Sequence, residues 1–213
     1  MDDDDFLVVD ESRPRRATSP HPPPAFIAAP AEAITNIVYR VAFASAVDLS
    51  EFARTRRNCV LTTPGAWRCT YYADAFTANM FSSGKWMLFT KDPDPARVRR
   101  AIVDAVGRAP VELDVINITM KFYIPCAVDL DAAFDVLAGE GEGFCFMDRQ
   151  RFPALIVKPF PGREVALEIY ARGPVNATGM RNDADIAGVR AFILTRVLPA
   201  VASHVAAVSR RRG

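Results

Sequence analysis

Apolar and polar positions alternate strictly in two stretches of the chain. Ile37, Tyr39, Val41 and Phe43 fall on one side of the first stretch, with Asn36, Val38 and Arg40 on the other. Ile118, Met120, Phe122 and Ile124 repeat the pattern in the second, opposite Asn117, Thr119 and Lys121. A period of two with one apolar side predicts a strand half-buried on a core. A helix is expected after each strand, capped by Asp48 or Asp129, with Leu49, Phe52 and Ala53, or Leu130, Ala133 and Phe134, at helical spacing. Further strands follow, and each half closes on a longer helix. In the first half Pro93-Asp94-Pro95 starts that helix, and Val98, Ala101, Ile102, Ala105 and Val106 form its apolar stripe.

The two stretches belong to an internal repeat. Thr35-Asn36-Ile37-Val38 is echoed by Ile116-Asn117-Ile118-Thr119, and Ala46-Val47-Asp48-Leu49 by Ala127-Val128-Asp129-Leu130, both at an offset of 81 residues. A chain built twice on one plan is expected to fold as two like halves, here residues 31–112 and 113–208. Helices with a single apolar stripe cover one face of a sheet and leave the other open. Phe81, Met87 and Phe89 in the first half, and Phe152, Ile156 and Tyr170 in the second, are placed on strands facing that open side. So much apolar surface implies a ligand; closure into a barrel or a homodimer core would also cover it.

Composition narrows the function. Half of the 213 residues are apolar, enough for a real core. No apolar run approaches the roughly 18 residues a bilayer span needs, and four aspartates after Met1 are unlike a basic signal-peptide start. Residues 1–30 mix an acidic run with Ser19-Pro20-His21-Pro22-Pro23-Pro24, a composition expected to stay disordered. Six acidic side chains against three arginines give that leader −3, leaving +4 for the rest, of which Arg210, Arg211 and Arg212 in the 209–213 tail supply three. The folded body is therefore near neutral, and bulk charge does not point to nucleic acid. Two histidines, His21 and His204, leave little material for imidazole catalysis. Cys59, Cys69, Cys126 and Cys145 form no C-x-x-C pair and read as buried free thiols. Gly139 to Gly143 carries acids that repel phosphate and reads as a surface loop. No cofactor, metal site, small-molecule substrate or membrane contact is implied, and no enzymatic constellation is apparent.

Over residues 34 to about 205 the chain resembles the TATA-binding protein family. The resemblance is carried by Asn36-Ile37-Val38, the helix Asp48-Leu49-Ser50-Glu51-Phe52-Ala53 running on to Arg57-Asn58, and Phe81-Ser82-Ser83-Gly84-Lys85. In the second half it rests on Asn117-Ile118, Phe152-Pro153-Ala154-Leu155-Ile156, the Tyr170-to-Gly179 stretch with its central Gly173, and Pro199 in the last helix. The resemblance implies an α+β saddle: two pseudo-symmetric repeats sharing one curved antiparallel sheet, with helices on the convex face and DNA on the concave one. It implies a general transcription factor that binds and bends promoter DNA through the minor groove, a mechanism for which this family is itself a standard example. The nucleus, or a viral transcription compartment, is the corresponding location.

Carried over residue by residue, the resemblance makes Phe81, Phe152, Tyr170 and Trp67 the wedging rings. Asn36 and Asn117 become the paired amides facing A·T acceptors. Val38, Thr119, Met87 and Thr178 fall on groove-contacting positions and Lys158 on a phosphate contact; Arg40 and Lys121 add phosphate contacts or are solvated charges. The departures are Asn79 and Glu168 in place of two groove-facing leucines, Phe89 in place of a threonine and Asn176 in place of a valine. Glu168 and Asn79, through its amide oxygen, are expected to accept from a guanine N2 amino group; otherwise Glu168 turns aside to Lys158 or Arg172. Asp148, Gln150 and Arg151 stand where the family docks transcription factor IIB, implying an altered partner of that kind, and Arg97 and Arg100 on the first long helix suggest a second docking face. This divergence suits a large DNA virus or a remote paralogue. A saddle retained as a protein-interaction scaffold without DNA is the competing reading, with Glu168 its best support.

Overall fold

The computed structural model describes residues 31–62, 67–139 and 143–201. The 1–30 leader and the 209–213 tail lie outside them. Each repeat begins with a 12-residue strand, β1 (Ala31–Ala42) and β6 (Glu112–Tyr123). A short helix follows, α1 (Leu49–Thr55) or α3 (Leu130–Gly139). Four strands come next: β2 (Cys59–Leu61), β3 (Arg68–Tyr72), β4 (Thr77–Phe81) and β5 (Lys85–Thr90) in the first repeat, then β7 (Phe144–Met147), β8 (Ala154–Lys158), β9 (Ala166–Tyr170) and β10 (Pro174–Met180) in the second. A longer helix, α2 (Pro95–Val106), closes the first repeat; the second closes on α4 (Asp183–Phe192), no longer than α3 itself but continued by Ile193–Val197.

All ten strands form one sheet in the order β2-β3-β4-β5-β1-β6-β10-β9-β8-β7, with every pairing antiparallel. Read from either edge the order is the same, with β1 and β6 at the centre. The sheet is a single open one with its helices on one side, the saddle architecture, so the closed barrel is excluded.

The helix side is where alternation places it. Ile37, Tyr39, Val41 and Phe43, with Ile118, Met120, Phe122 and Ile124, are buried in one continuous core with Val98 and Ile102 of α2. The caps hold: Asp48 Oδ1 accepts from the Glu51 amide at 3.0 Å, Asp94 Oδ1 from the Ala96 amide at 2.9 Å with Pro95 opening α2, and Asp129 Oδ1 from the Asp131 and Ala132 amides. Each satisfies a donor that a helix start leaves unpaired. Helix α1 ends at Thr55, short of Arg57-Asn58, and the Thr55 hydroxyl bonds back to the Glu51 carbonyl. Beyond α4 the helix widens into a π-turn at Ile193–Val197, closed by the Leu198 amide on the Ile193 carbonyl. Pro199 explains the widening: it has no N–H to continue the ladder, and its ring would meet the carbonyl of an ordinary turn.

The cysteines are less scattered than their spacing suggests. The β2–β3 hairpin brings Cys59 Sγ to 3.1 Å from Cys69 Sγ, both as free thiols. Burial first, then the Cys59 contact, pushes the Cys69 thiol up from 9.0 to about 12. The folded chain therefore holds this proton more tightly than the unfolded one; the resulting stabilisation is complete below the unfolded value and is lost as pH rises toward about 12. At about pH 8, iodoacetamide is expected to alkylate Cys59 before Cys69, because the thiolate is the nucleophile. Peptide mass mapping checks this; equal labelling of the two in the folded protein would contradict it.

Candidate nucleic-acid interface

Opposite the helices, register fixes which side chains share the open face. In the first repeat Arg40 pairs with Met87, Met87 with Asn79 and Asn79 with Thr70; in the second Lys121 pairs with Asn176, Asn176 with Glu168 and Glu168 with Ile156. The two rows are equivalent under the repeat. Val38 lies beside Phe89 and Asn117, Asn36 beside Thr119, and Thr178 beside Ala166. Sixteen of the sequence-predicted site residues thus sit on, or at the rim of, one surface: Trp67, Phe81, Phe152, Tyr170, Asn36, Val38, Arg40, Asn79, Met87, Phe89, Asn117, Thr119, Lys121, Glu168, Asn176 and Thr178. Lys158 joins them from β8, its ammonium 6.0 Å from the Phe144 ring centre.

An aromatic pair stands at each end. Trp67 and Phe81 have ring centres 6.2 Å apart and planes 20° from parallel; Phe152 and Tyr170 have the same separation with planes at 60°. Trp67 is half exposed, and its carbonyl accepts from the Ser82 amide at 3.0 Å, which ties its loop to the turn beyond Phe81. Phe152 is not on a strand as expected. It lies in the tight turn between β7 and β8, where its amide donates to the Asp148 carbonyl at 2.7 Å. Asp148 builds that turn, its Oδ1 accepting from the Gln150 and Arg151 amides. Of the three predicted partner-docking residues on this turn, Gln150 and Arg151 project into solvent, while Asp148 is committed to holding Phe152 in place.

Two glycines fix the inner ring of each pair. After Phe81 and after Tyr170 the chain reverses through matched turns: the Gly84 amide returns to the Phe81 carbonyl at 3.0 Å, and the Gly173 amide to the Tyr170 carbonyl at 2.9 Å. Gly84 and Gly173 then accept from the Phe43 and Ile124 amides, where the first strand of each repeat ends. Both have positive φ, 82° and 103°, a conformation that costs a side-chain-bearing residue. The repeat gave no cue to this role, because the bonds are made by backbone.

The polar residues of the face are already partly engaged. Thr70 Oγ1 donates to Asn79 Oδ1 at 3.1 Å, which takes one lone pair of the Asn79 oxygen and turns its amino group away from that bond. Glu168 Oε2 accepts from the Tyr170 hydroxyl and from Asn176 Nδ2, both at 3.1 Å. Glu168 therefore pairs with neither Lys158 nor Arg172, as the β9–β10 register already sets Asn176 beside it. Burial first, then the Glu168 hydrogen bond and charge, raises the Tyr170 phenol above its ordinary value. Asn117 Oδ1 accepts from the Gly179 amide at 2.7 Å and its amino group donates to Thr119 Oγ1. The Gly179 amide needs that partner because register shifts between Ala177 and Met180. Asn36 makes no side-chain hydrogen bond among the described residues.

Charge on the face is mixed. Arg40 lies 2.8 Å from Asp114 in an exposed ion pair. Lys121 faces Ala33 at the equivalent place and has no ion-pair partner among the described residues. Arg68 and Lys85, beside Phe81, and Arg172, after Tyr170, are cations that the resemblance did not select; register with Phe81 is the signal that finds Arg68. A depression of about 440 Å³ beside Tyr170 is lined by Lys121, Arg172, Pro153, Pro174 and Asn176. On the helix side, Arg97 is paired with Asp92 at 3.0 Å and Asp94 at 3.4 Å, and Arg99 donates to the Pro110 carbonyl at 2.6 Å. That leaves Arg100 as the free cation of the expected basic face, among the described residues.

The saddle has a counterpart of known structure. The TBP of Methanococcus jannaschii superposes with a TM-score of 0.58 over 80% of this chain and 97% of that one, at 19% identity. The fold is the TATA-binding-protein saddle. At that identity the likeness establishes architecture, and the saddle places the open face described above on its concave side. A heterotetrameric sarcosine oxidase from Corynebacterium sp. U-96, in complex with pyrrole 2-carboxylate, aligns with a TM-score of 0.29 and 14% identity over 80% of each chain, too loose a match to bear on this protein. No protein-family model and no curated protein sequence matches the chain.

Proposed function

We propose that this protein is a non-enzymatic transcription factor that binds double-stranded promoter DNA through the minor groove and bends it to nucleate initiation. The observation that carries the reading is the placement of one aromatic pair at each end of an open sheet face, with the Asn36 and Asn117 amides between them. Rings at two separated base steps unstack them, and the kinked duplex then follows the curved face. Amide N–H groups in the middle suit a groove floor that offers A N3 and T O2 acceptors. Lys121, Lys158, Arg68, Lys85 and Arg172 supply backbone contacts, which position the duplex without reading it. Gln150 and Arg151 on the β7–β8 turn are the proposed docking point for an initiation factor of the transcription factor IIB type, with Arg100 a subsidiary contact on the helix side. A nuclear or viral transcription compartment is the setting this reading requires.

The test is a mobility-shift titration of duplex DNA across a salt series. Binding is expected at low salt, with the logarithm of the association constant falling against log salt with a slope of about −4, as those cations displace counterions. Absence of any retarded duplex at about 50 mM salt would remove the proposal.

A further inference from the structure

We infer that Glu168 and Asn79, at equivalent places in the two repeats, give the saddle opposite hydrogen-bonding polarity, so that it reads a directional site: A·T beneath the first repeat and G·C beneath the second. The inference rests on the proposed minor-groove reading and adds specificity and orientation to it. Glu168 presents a carboxylate to the open face. Its Oε2 is held by Tyr170 and Asn176, which fixes the group in place, and Oε1 has no partner among the described residues. No lysine or arginine lies within ion-pair distance of it among those residues. Pressed against an A·T pair, whose minor-groove edge carries acceptors only, that oxygen loses its water and gains nothing. Against G·C it meets the guanine N2 amino group, the donor which that edge adds.

Asn79 does the reverse. Its oxygen accepts from Thr70, which fixes the amide and leaves its amino donor as the group with no partner among the described residues; that donor matches A N3 or T O2 and clashes with guanine N2. The neighbours reinforce the difference: Asn79 lies beside Met87 and Thr70, Glu168 beside Asn176 and Ile156. A saddle with identical halves sits equally well either way round on a near-symmetric duplex; this one has a preferred direction.

Selection from a random duplex pool, followed by hydroxyl-radical cleavage from an iron chelate tethered beside β7, tests both parts. The parent is expected to enrich sites with G·C in one half and A·T in the other, and to cleave from one side. E168Q keeps an acceptor for Tyr170 but adds an outward donor. It is expected to lose at least roughly five-fold of the G·C preference and much of the cleavage asymmetry. T70V frees the Asn79 oxygen and is expected to relax the A·T requirement beneath the first repeat. Uniform A·T selection by the parent, unchanged in E168Q, overturns the inference while leaving DNA binding intact. Failure to retain any duplex overturns this inference together with the function it rests on.

Discussion

Removing the rings of Phe81 and Phe152 together is expected to abolish DNA bending and to weaken binding at least roughly 30-fold. The two residues belong to different aromatic pairs at opposite ends of the open face, so the double variant leaves Trp67 and Tyr170 as single rings. Each unstacked base step costs a few kcal/mol, and a lone ring without its partner cannot keep it open. Fluorescence transfer between dyes on the two duplex ends reads the bend, and a titration on the same duplex reads affinity. Circular dichroism should be unchanged, because both rings lie on the open face and outside the buried core. A parent protein that binds without bringing the duplex ends together would show that the rings do not act as wedges.

Gly173→Ala is expected to cost about 3 kcal/mol or more. Its added Cβ would lie 2.2 Å from the Ile124 carbonyl oxygen and 3.0 Å from that of Cys126, on a residue with φ of 103°. Backbone cannot swing aside as a side chain can, and here it belongs to the exit of a central strand. Gly179→Ala, at φ of 82°, meets the Glu164 carbonyl oxygen at 2.3 Å and should cost about as much; Gly84→Ala meets the Ser45 carbonyl oxygen at 2.6 Å and should rank after both. By contrast Gly107→Ala and Gly162→Ala meet nothing within 4 Å and should lose only the cost of positive φ, about 1 kcal/mol. Denaturant midpoints for the five variants check the order, and a Gly173→Ala protein as stable as Gly107→Ala would refute the account of the turn.

The contrast between strands and sites explains what can be read without coordinates. Ile37 to Phe43 and Ile118 to Ile124 announce their faces because burial on one side of a strand imposes a period of two, and the repetition of that period announces the symmetric sheet. Helix starts are equally legible, since Asp48, Asp94 and Asp129 act on amides only two or three residues away. What alternation cannot carry is the pairing among polar groups on the free face. Thr70 reaches Asn79, Asn176 reaches Glu168 and Asp114 reaches Arg40 through cross-strand register, and register depends on turn lengths and bulges that local pattern does not report. Cys59 and Cys69 are hidden for the same reason. Phe152 is legible as an aromatic of the open side but not as a turn residue, because the Asp148 bonds that make the turn involve main-chain amides.

The central seam relates the two halves of the sheet. β1 and β6 pair along nearly their whole length, and reading the sheet outward from that seam gives the same strand order twice, as two copies of one shorter protein would meet across a dyad. In a pair of identical copies every residue occurs on both sides of the axis, so a carboxylate at one end compels a carboxylate at the other. One chain that carries both halves is free of that constraint. Glu168 opposite Asn79, Lys121 unpaired among the described residues where Arg40 meets Asp114, and a glycine bulge at Gly179 where the first repeat has Thr90 are differences that a pair of identical copies could not carry.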